Sequence, residues 1–139
     1  MGVANIMSKR VVSVHMDDSL QSLRELFSAT GFHHLLVVHD NVLHGIISDR
    51  DLLKSVSPFI DTISERMLDR ATLDKRAHQI MTREVITLTP QASVFAAIEL
   101  FNNHKISCIP IVDMHYHPVG IVSWRDVMKF MQKRVEAKR

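Results

Sequence analysis

Apolar positions along the chain change their spacing in a fixed order, and the whole order then repeats. A β-branched run at 11–14 reads as a short strand. Leu20, Leu23 and Phe27 follow, three and four apart as on one helix face, with Asp18 or Ser19 placed to cap that helix. A continuous apolar run at 35–38 and a second beginning Gly45-Ile46-Ile47, separated by turn residues, predict two antiparallel strands. Leu52, Leu53 and Val56 then mark a second helix opening after Ser48. The second half matches step for step: 85–88, then Val94, Ala97, Ile98 and Phe101, then 109–112, then Gly120-Ile121-Val122, then Val127, Met128 and Met131 after Ser123. Each half is therefore a β-α-β-β-α unit, and the predicted fold class is α+β.

The residues repeat as well as the pattern. G-I-I-S-D-R-D-L-L-K starts at 45 and G-I-V-S-W-R-D-V-M-K at 120, an offset of 75. Upstream the offset is 74, pairing Ile6-Met7 with Ile80-Met81, Val11-Val12 with Val85-Ile86, and Glu25-Leu26-Phe27 with Glu99-Leu100-Phe101. A one-residue insertion within 115–118 accounts for the change. A period this long implies a supersecondary unit that buries its apolar face against its own copy, giving a pseudo-twofold pair with a cleft between the halves. The expected divisions are repeat 1 over 1–56, a helical linker over 57–79, repeat 2 over 80–131 and a frayed tail over 132–139. Within the linker, Ser57-Pro58 breaks the preceding helix, and Ile63, Met67 and Leu68 are spaced helically.

Composition removes several function classes. Seventeen Lys and Arg against fifteen Asp and Glu leave a formal charge of +2, too balanced to draw nucleic acid or an acidic membrane surface. The single cysteine, Cys108, cannot form an intrachain disulfide, which suits a reducing compartment. Residues 1–10 hold no long apolar run, and no stretch approaches the ~18 apolar residues of a membrane span, so a cytoplasmic protein is expected.

The motif with the most chemistry is S-x-x-D, present as Ser48/Asp51 and Ser123/Asp126. A Ser at a strand end with Asp three residues on sets both side chains beside the first turn of a helix, where free N–H groups and the positive dipole end favour anions. A carboxylate there can accept hydrogen bonds from vicinal ribose hydroxyls, and the Ser hydroxyl can serve a phosphate or ribose oxygen. The same spacing is also a helix capping box, in which the Ser oxygen and the carboxylate satisfy each other's backbone amides. Both readings stand on the sequence.

Two tandem copies that end in G-h-h-S-x-x-D, each opening with h-M-[ST]-x-x-V, resemble a pair of cystathionine β-synthase (CBS) domains, known as a Bateman module. More narrowly, the chain resembles the small stand-alone bacterial pairs of the acetoin-utilisation type. The resemblance implies a non-catalytic regulatory module that senses an adenine nucleotide or related adenosyl ligand (AMP, ADP, ATP or S-adenosylmethionine), needs no other cofactor, and associates as a homodimer through the helix faces 52–56 and 127–131. It also implies that Asp51 and Asp126 hold ribose. One site would join Ser48 and Asp51 to Val85, Ile86, Thr87, Cys108 and Pro110. Its counterpart would join Ser123 and Asp126 to Val11, Val12, Ser13, His34 and Leu36. Family members carry Arg or His before the second strand for phosphate, whereas this chain has His33-His34 and Ser107-Cys108; the missing arginine counts against polyphosphate. Asp49 and Trp124 fill the variable slot, so the two sites should differ, and Arg50 and Arg125 reach either phosphate or solvent.

Two other classes compete. An assembly module would use S-x-x-D only to cap helices and bind no nucleotide. A metal sensor or minor enzyme would use some of the nine histidines. His33, His34, His39, His44, His115 and His117 lie around corresponding turns, but no spacing matches a known cage, so they read as turn and surface residues and no metal site is expected. Cys108 has no base partner in the sequence and reads as a small buried residue rather than a nucleophile. No catalytic residue is assigned.

Overall fold

The computed structural model describes residues 1–139. Its elements run β1 (Ser13–His15), α1 (Leu20–Thr30), β2 (His34–His39), β3 (Val42–Ser48), α2 (Asp49–Ser55), α3 (Met67–Ala71), α4 (Ala77–Ile80), α5 (Val94–Asn103), β4 (Cys108–Val112), β5 (Pro118–Ser123) and α6 (Trp124–Ala137). The mixed α+β architecture and the β-α-β-β-α order of the first copy agree with the apolar spacing. Two compact units result, one built from Val12–Val85 and the other from Met1–Val11 with Ile86–Arg139.

In the Val12–Val85 unit, β1 runs parallel to β2, and β2 antiparallel to β3. Leu20, Leu23 and Phe27 are buried as their spacing requires, together with Val14, Leu35, Val37, Ile47 and Leu52. Ser19, not Asp18, caps α1 by accepting the Ser22 amide at 3.2 Å. Asp18 turns back to the His15 amide at 2.9 Å. Gly31, at φ 71°, ends the helix in the left-handed conformation that costs glycine least. The β2–β3 hairpin closes through Asp40 and Asn41, both at positive φ, which matches the turn to the strand twist.

The other unit repeats this plan with one omission. Val94, Ala97 and Phe101 on α5 bury against Ile109, Ile111, Val122 and Val127. The expected first strand at 85–88 does not form; only Leu88 bridges to Ile111. The cause lies in the neighbouring strand. In the first unit the Leu36 amide donates to the Val12 carbonyl at 2.9 Å. The residue 74 positions later is Pro110, which has no N–H, so the Ile86 carbonyl loses its ladder partner. The hairpin here spans Val112↔Pro118 where the first spans Val38↔Leu43, which places the inserted residue where the offset requires it.

The structural units are not the sequence repeats. Ser8 exchanges two backbone hydrogen bonds with Ile121, at 2.8 and 2.9 Å, so the opening h-M-[ST] segment of the first repeat lies along β5 of the second. Thr82 does the same with Ile46 at 2.9 and 3.1 Å, returning the second repeat's opening segment to β3. Each segment covers a strand edge that would otherwise expose unpaired N–H and C=O groups. Gly45 and Gly120 make room for it. A Cβ at Gly45 would fall 2.8 Å from Met81 Cγ, and one at Gly120 2.9 Å from Met7 Cγ.

Two further expectations change. The linker is helical only over α3 and α4 with a 3-10 turn at Thr72–Asp74. Ile63, Met67 and Leu68 are exposed, while Ile60, Leu73 and the carboxylate of Asp69 go inside. Asp69 accepts the Ser57 hydroxyl at 2.8 Å and the Arg66 amide at 2.8 Å, bonds that hold its carboxyl below the usual range. The tail does not fray at 132: α6 continues to Ala137, carried by strong helix formers and a Gln132–Glu136 side-chain bond at 3.2 Å.

Candidate functional site

Each S-x-x-D segment is the hinge between a strand and the helix that follows. Ser48 ends β3 and caps α2; Ser123 ends β5 and caps α6. Both capping boxes are closed. The Ser48 amide donates to Asp51 Oδ2 at 2.8 Å while the Asp51 amide donates to Ser48 Oγ at 3.1 Å. In the other unit the Ser123 amide donates to Asp126 Oδ2 at 2.8 Å, and the Asp126 amide reaches Ser123 Oγ at 3.4 Å. The box engages only one oxygen of each carboxylate. Oδ1 of Asp51 and of Asp126 remains available as an acceptor beside the amino end of a helix, so capping and ligand binding do not compete for the same atom.

Strand register decides what stands next to each turn. His34 pairs with Ser48, and the Asp49 amide donates to the His33 carbonyl at 2.9 Å. Leu36 pairs with Ser13 across β1, next to Val12. Ser48, Asp51, Val12, Ser13, His34 and Leu36 therefore gather in the Val12–Val85 unit, with Val85 at its last position. In the other unit Cys108 pairs with Ser123, the Trp124 amide donates to the Ser107 carbonyl at 3.3 Å, and the Leu88 amide donates to the Pro110 carbonyl at 3.2 Å. Ser123, Asp126, Ile86, Thr87, Cys108 and Pro110 share that unit with Val11. Hydrogen-bond register groups each turn with the strands of its own copy. The reason is local, because the hairpin that carries Ser48 or Ser123 fixes which residue before β2 or β4 lies opposite. Arg50 and Arg125 are exposed on the first turns of α2 and α6.

The two turns differ in their surroundings. Asp49 accepts from His33 Nδ1 at 2.8 Å, and this bond, ahead of the Arg50 amide, draws the Asp49 carboxyl below its usual range. His34 is pulled the other way: burial lowers its pKa, with Asp49 opposing, so the imidazole favours the neutral form near pH 7. It does not supply the cationic charge that a phosphate would want. In the Asp49 position the other unit has Trp124, whose indole N–H donates to the Ile106 carbonyl at 3.2 Å and whose ring stands 5.1 Å from that of Phe101. The indole stays half-exposed, a fixed aromatic face beside Asp126. Burial pushes the Cys108 thiol up to about 12, which leaves it un-ionised and unreactive.

What the sequence could not show is the exchange of opening segments and the resulting split of each repeat between units. The only sequence trace of it is the glycine that starts each G-h-h-S-x-x-D run, placed where a methionine from the other repeat must fit.

Comparison with known proteins agrees with this architecture. The model of the CBS domain matches twice, over residues 3–58 and 77–133. A CBS domain-containing protein of Dictyostelium discoideum is 30% identical over 136 residues, covering 96% of this chain and 93% of that protein. A homoserine O-acetyltransferase of Methanococcoides burtonii is 27% identical over 130 residues, which are 93% of this chain but only 24% of the enzyme. Among solved structures, the CBS domain pair of protein MJ0100 in complex with 5′-methylthioadenosine and S-adenosyl-L-methionine superposes with a TM-score of 0.76 at 27% identity, over 96% of this chain and 98% of that one. A Vibrio cholerae chain assigned to acetoin utilization (AcuB) shares the fold, with a TM-score of 0.79 at 23% identity over 99% and 95% of the two chains. No helix of this protein is long and apolar enough to cross a membrane. With both halves matched and the duplicated β-α-β-β-α order present, the chain belongs to the CBS domain family as a tandem pair.

Proposed function

We propose that this chain is a regulatory module that binds an adenosyl ligand at its S-x-x-D turns and thereby changes how it associates with a second copy or with a regulated protein. The observation that carries the reading is the pair of capped carboxylates with one oxygen left over. In both units an Asp Oδ1 sits at a helix amino end, next to strand backbone, where ribose hydroxyls can donate to it and the helix N–H groups can meet an anion. In the unit that lacks its first strand, the Ile86 carbonyl has no ladder partner and can accept from the exocyclic amine of an adenine. The 27%-identical pair holding 5′-methylthioadenosine and S-adenosyl-L-methionine supports the ligand class. AMP, ADP and ATP belong to the same proposal, with Arg50 and Arg125 as the candidate phosphate contacts.

Association of two copies is part of the proposal. On α6, Trp124, Met128, Met131 and Val135 fall at successive turns of one face and are 45%, 60%, 42% and 55% exposed. Leu53 on α2 is 72% exposed. A second copy can cover such faces, and a ligand shifts that equilibrium only in proportion to its different affinity for the two states.

A second reading rests on the closed capping boxes themselves: a scaffold in which Asp51 and Asp126 only stabilise α2 and α6. Calorimetry with S-adenosylmethionine, 5′-methylthioadenosine, AMP, ADP and ATP separates the two. Binding of at least one is expected, with affinity reduced about 10- to 100-fold in Asp51→Ala/Asp126→Ala, the loss of a charge-assisted hydrogen bond. Each substitution should also cost the fold about 1 kcal/mol as a lost cap. No heat from any of the five ligands would leave the scaffold.

A further inference from the structure

Trp124 is the only tryptophan in the chain, and it stands where the first repeat has Asp49. Two contacts fix its ring. The N–H edge donates to the Ile106 carbonyl at 3.2 Å, and the buried ring of Phe101 backs one face, with centroids 5.1 Å apart and planes 32° from parallel. The indole is nevertheless 45% exposed, so that exposure falls on the opposite face and the far edge. A rigid aromatic face of this kind can cover a ligand with little further loss of side-chain freedom.

Strand register says which part of an adenosyl ligand would meet it. Pro110 has no N–H, so the Ile86 carbonyl is left to take an adenine amine. Two residues back along β4, Cys108 pairs with Ser123, whose capping box engages only Oδ2 of Asp126 and leaves Oδ1 to ribose. Further back still, the Trp124 amide donates to the Ser107 carbonyl at 3.3 Å, and the indole reaches one residue beyond, to Ile106. Amine acceptor, ribose acceptor and indole therefore follow one another along β4 and the residues that precede it. From Pro110 to Ser107 is roughly 10 Å of extended chain, about the reach of an adenosine from its exocyclic amine to its 5′ carbon. The indole thus borders the 5′ substituent and not the purine.

The first repeat is arranged otherwise. There the Val12 carbonyl already accepts the Leu36 amide at 2.9 Å, and Asp49 accepts from His33 Nδ1 at 2.8 Å. Two carboxylates, Asp49 and Asp51, stand in the first turn of α2, whereas α6 has only Asp126 in its first turn. No aromatic face is offered at the corresponding place.

We propose that Trp124 makes the Ser123/Asp126 turn selective for an adenosyl ligand with a sulfonium at its 5′ position, over one with an uncharged thioether or a phosphate there; this rests on the adenosyl reading of that turn. A sulfonium cation is drawn to the electron-rich face of the indole. A neutral thioether keeps only the weaker contact of sulfur with the ring, and the same face repels a phosphate. Lys105 and Arg125, exposed one residue before Ile106 and one after Trp124, oppose a sulfonium from a distance and are screened by salt. They can also meet the carboxylate of S-adenosylmethionine. S-Adenosylhomocysteine carries the same carboxylate with a neutral sulfur, so a comparison of these two ligands isolates the charge at the ring.

Because the chain has one tryptophan, its fluorescence reports this turn alone. In the full-length protein, S-adenosylmethionine should change the Trp124 emission along the same isotherm that calorimetry gives. It should bind about two- to fivefold more tightly than S-adenosylhomocysteine, with AMP weaker than either. Trp124→Leu should bring S-adenosylmethionine and S-adenosylhomocysteine to equal affinity; comparing two ligands on one variant cancels any general loss of stability. Equal affinities in the wild type, AMP binding more tightly than S-adenosylmethionine, a preference that survives Trp124→Leu, or calorimetric binding with unchanged emission would each overturn the role of Trp124 and leave the adenosyl reading standing. No binding by any adenosyl ligand would remove both.

Discussion

The two copies have the same order of apolar residues, yet one builds a three-stranded sheet and the other a two-stranded one. Core positions are interchangeable between them: Leu35 and Ile109 are both fully buried, and Phe27 and Phe101 close equivalent helices. The differences concentrate where a backbone donor is missing, at Pro110 against Leu36, and where a side chain borders the helix start, at Trp124 against Asp49. Duplication thus fixes the fold through apolar volume and leaves the helix-start turns free to diverge in chemistry. The comparison can be broken at three points.

The largest effect is expected where the exchanged segments meet the sheets. Gly45→Ala and Gly120→Ala each bring a methyl into the Met81 or Met7 side chain, and at Gly120 within 3.0 Å of the Ser8 carbonyl oxygen. Overpacking of this kind costs about 1–3 kcal/mol, read as a lower urea midpoint at unchanged slope. Met7→Ala should recover part of the Gly120→Ala loss, giving a nonzero coupling in a double-mutant cycle, because the two residues share one volume. Additive losses would mean that the methionine and the glycine do not meet.

Pro110→Leu is a smaller and more pointed change. It restores the amide that the second copy lacks, so a strand at 86–88 can gain one ladder bond, a net contribution of about 0.5–1.5 kcal/mol. Loss of the proline ring loosens the unfolded chain and offsets about 0.4–1 kcal/mol of that. Stability should therefore change little, while the amide at 110 becomes protected in hydrogen exchange. If the Ile86 carbonyl serves a ligand, adenosyl affinity at that site should fall as well. An unprotected amide at 110 would show that the missing donor is not what prevents the strand.

How far these features could be read in advance follows from the same comparison. Helix faces at Leu20, Leu23, Phe27 and at Val94, Ala97, Phe101 were legible because burial imposes a period on the sequence. The S-x-x-D turns were legible as helix caps because a capping box demands those residues at that spacing. The first strand of the second copy was not, since Val85 to Leu88 has every strand preference and its failure depends on a proline more than 20 residues away. Nor was the exchange of opening segments, which depends on chain path rather than on residue preference. The tail was misread because Q-K-R-V-E-A-K-R has little apolar content, whereas its helix propensity is high enough to extend α6.

The smallest expected effect tests the electrostatic side of the contrast between His33-His34 and Ser107-Cys108. Burial lowers the His34 pKa in the folded chain, whereas in the unfolded chain it returns to its ordinary value near ~6.5. Below that value the unfolded state binds the proton more readily, so stability falls as pH drops through the window from the unfolded to the folded pKa. Above it both states are neutral at this residue and the contribution is flat. Asp49, whose pKa the His33 bond depresses, adds a loss with falling pH only in the more acidic range between its folded and unfolded values. His34→Gln should therefore flatten the decline in urea midpoint from pH 7 toward pH 5.5 without altering the decline below pH 4. A profile unchanged by the substitution would mean that His34 is protonated as readily in the fold as in water. At these two positions the second copy, with Ser107 and Cys108, would then differ from the first in shape alone, and the pH contrast between the copies would rest on Asp49 against Trp124.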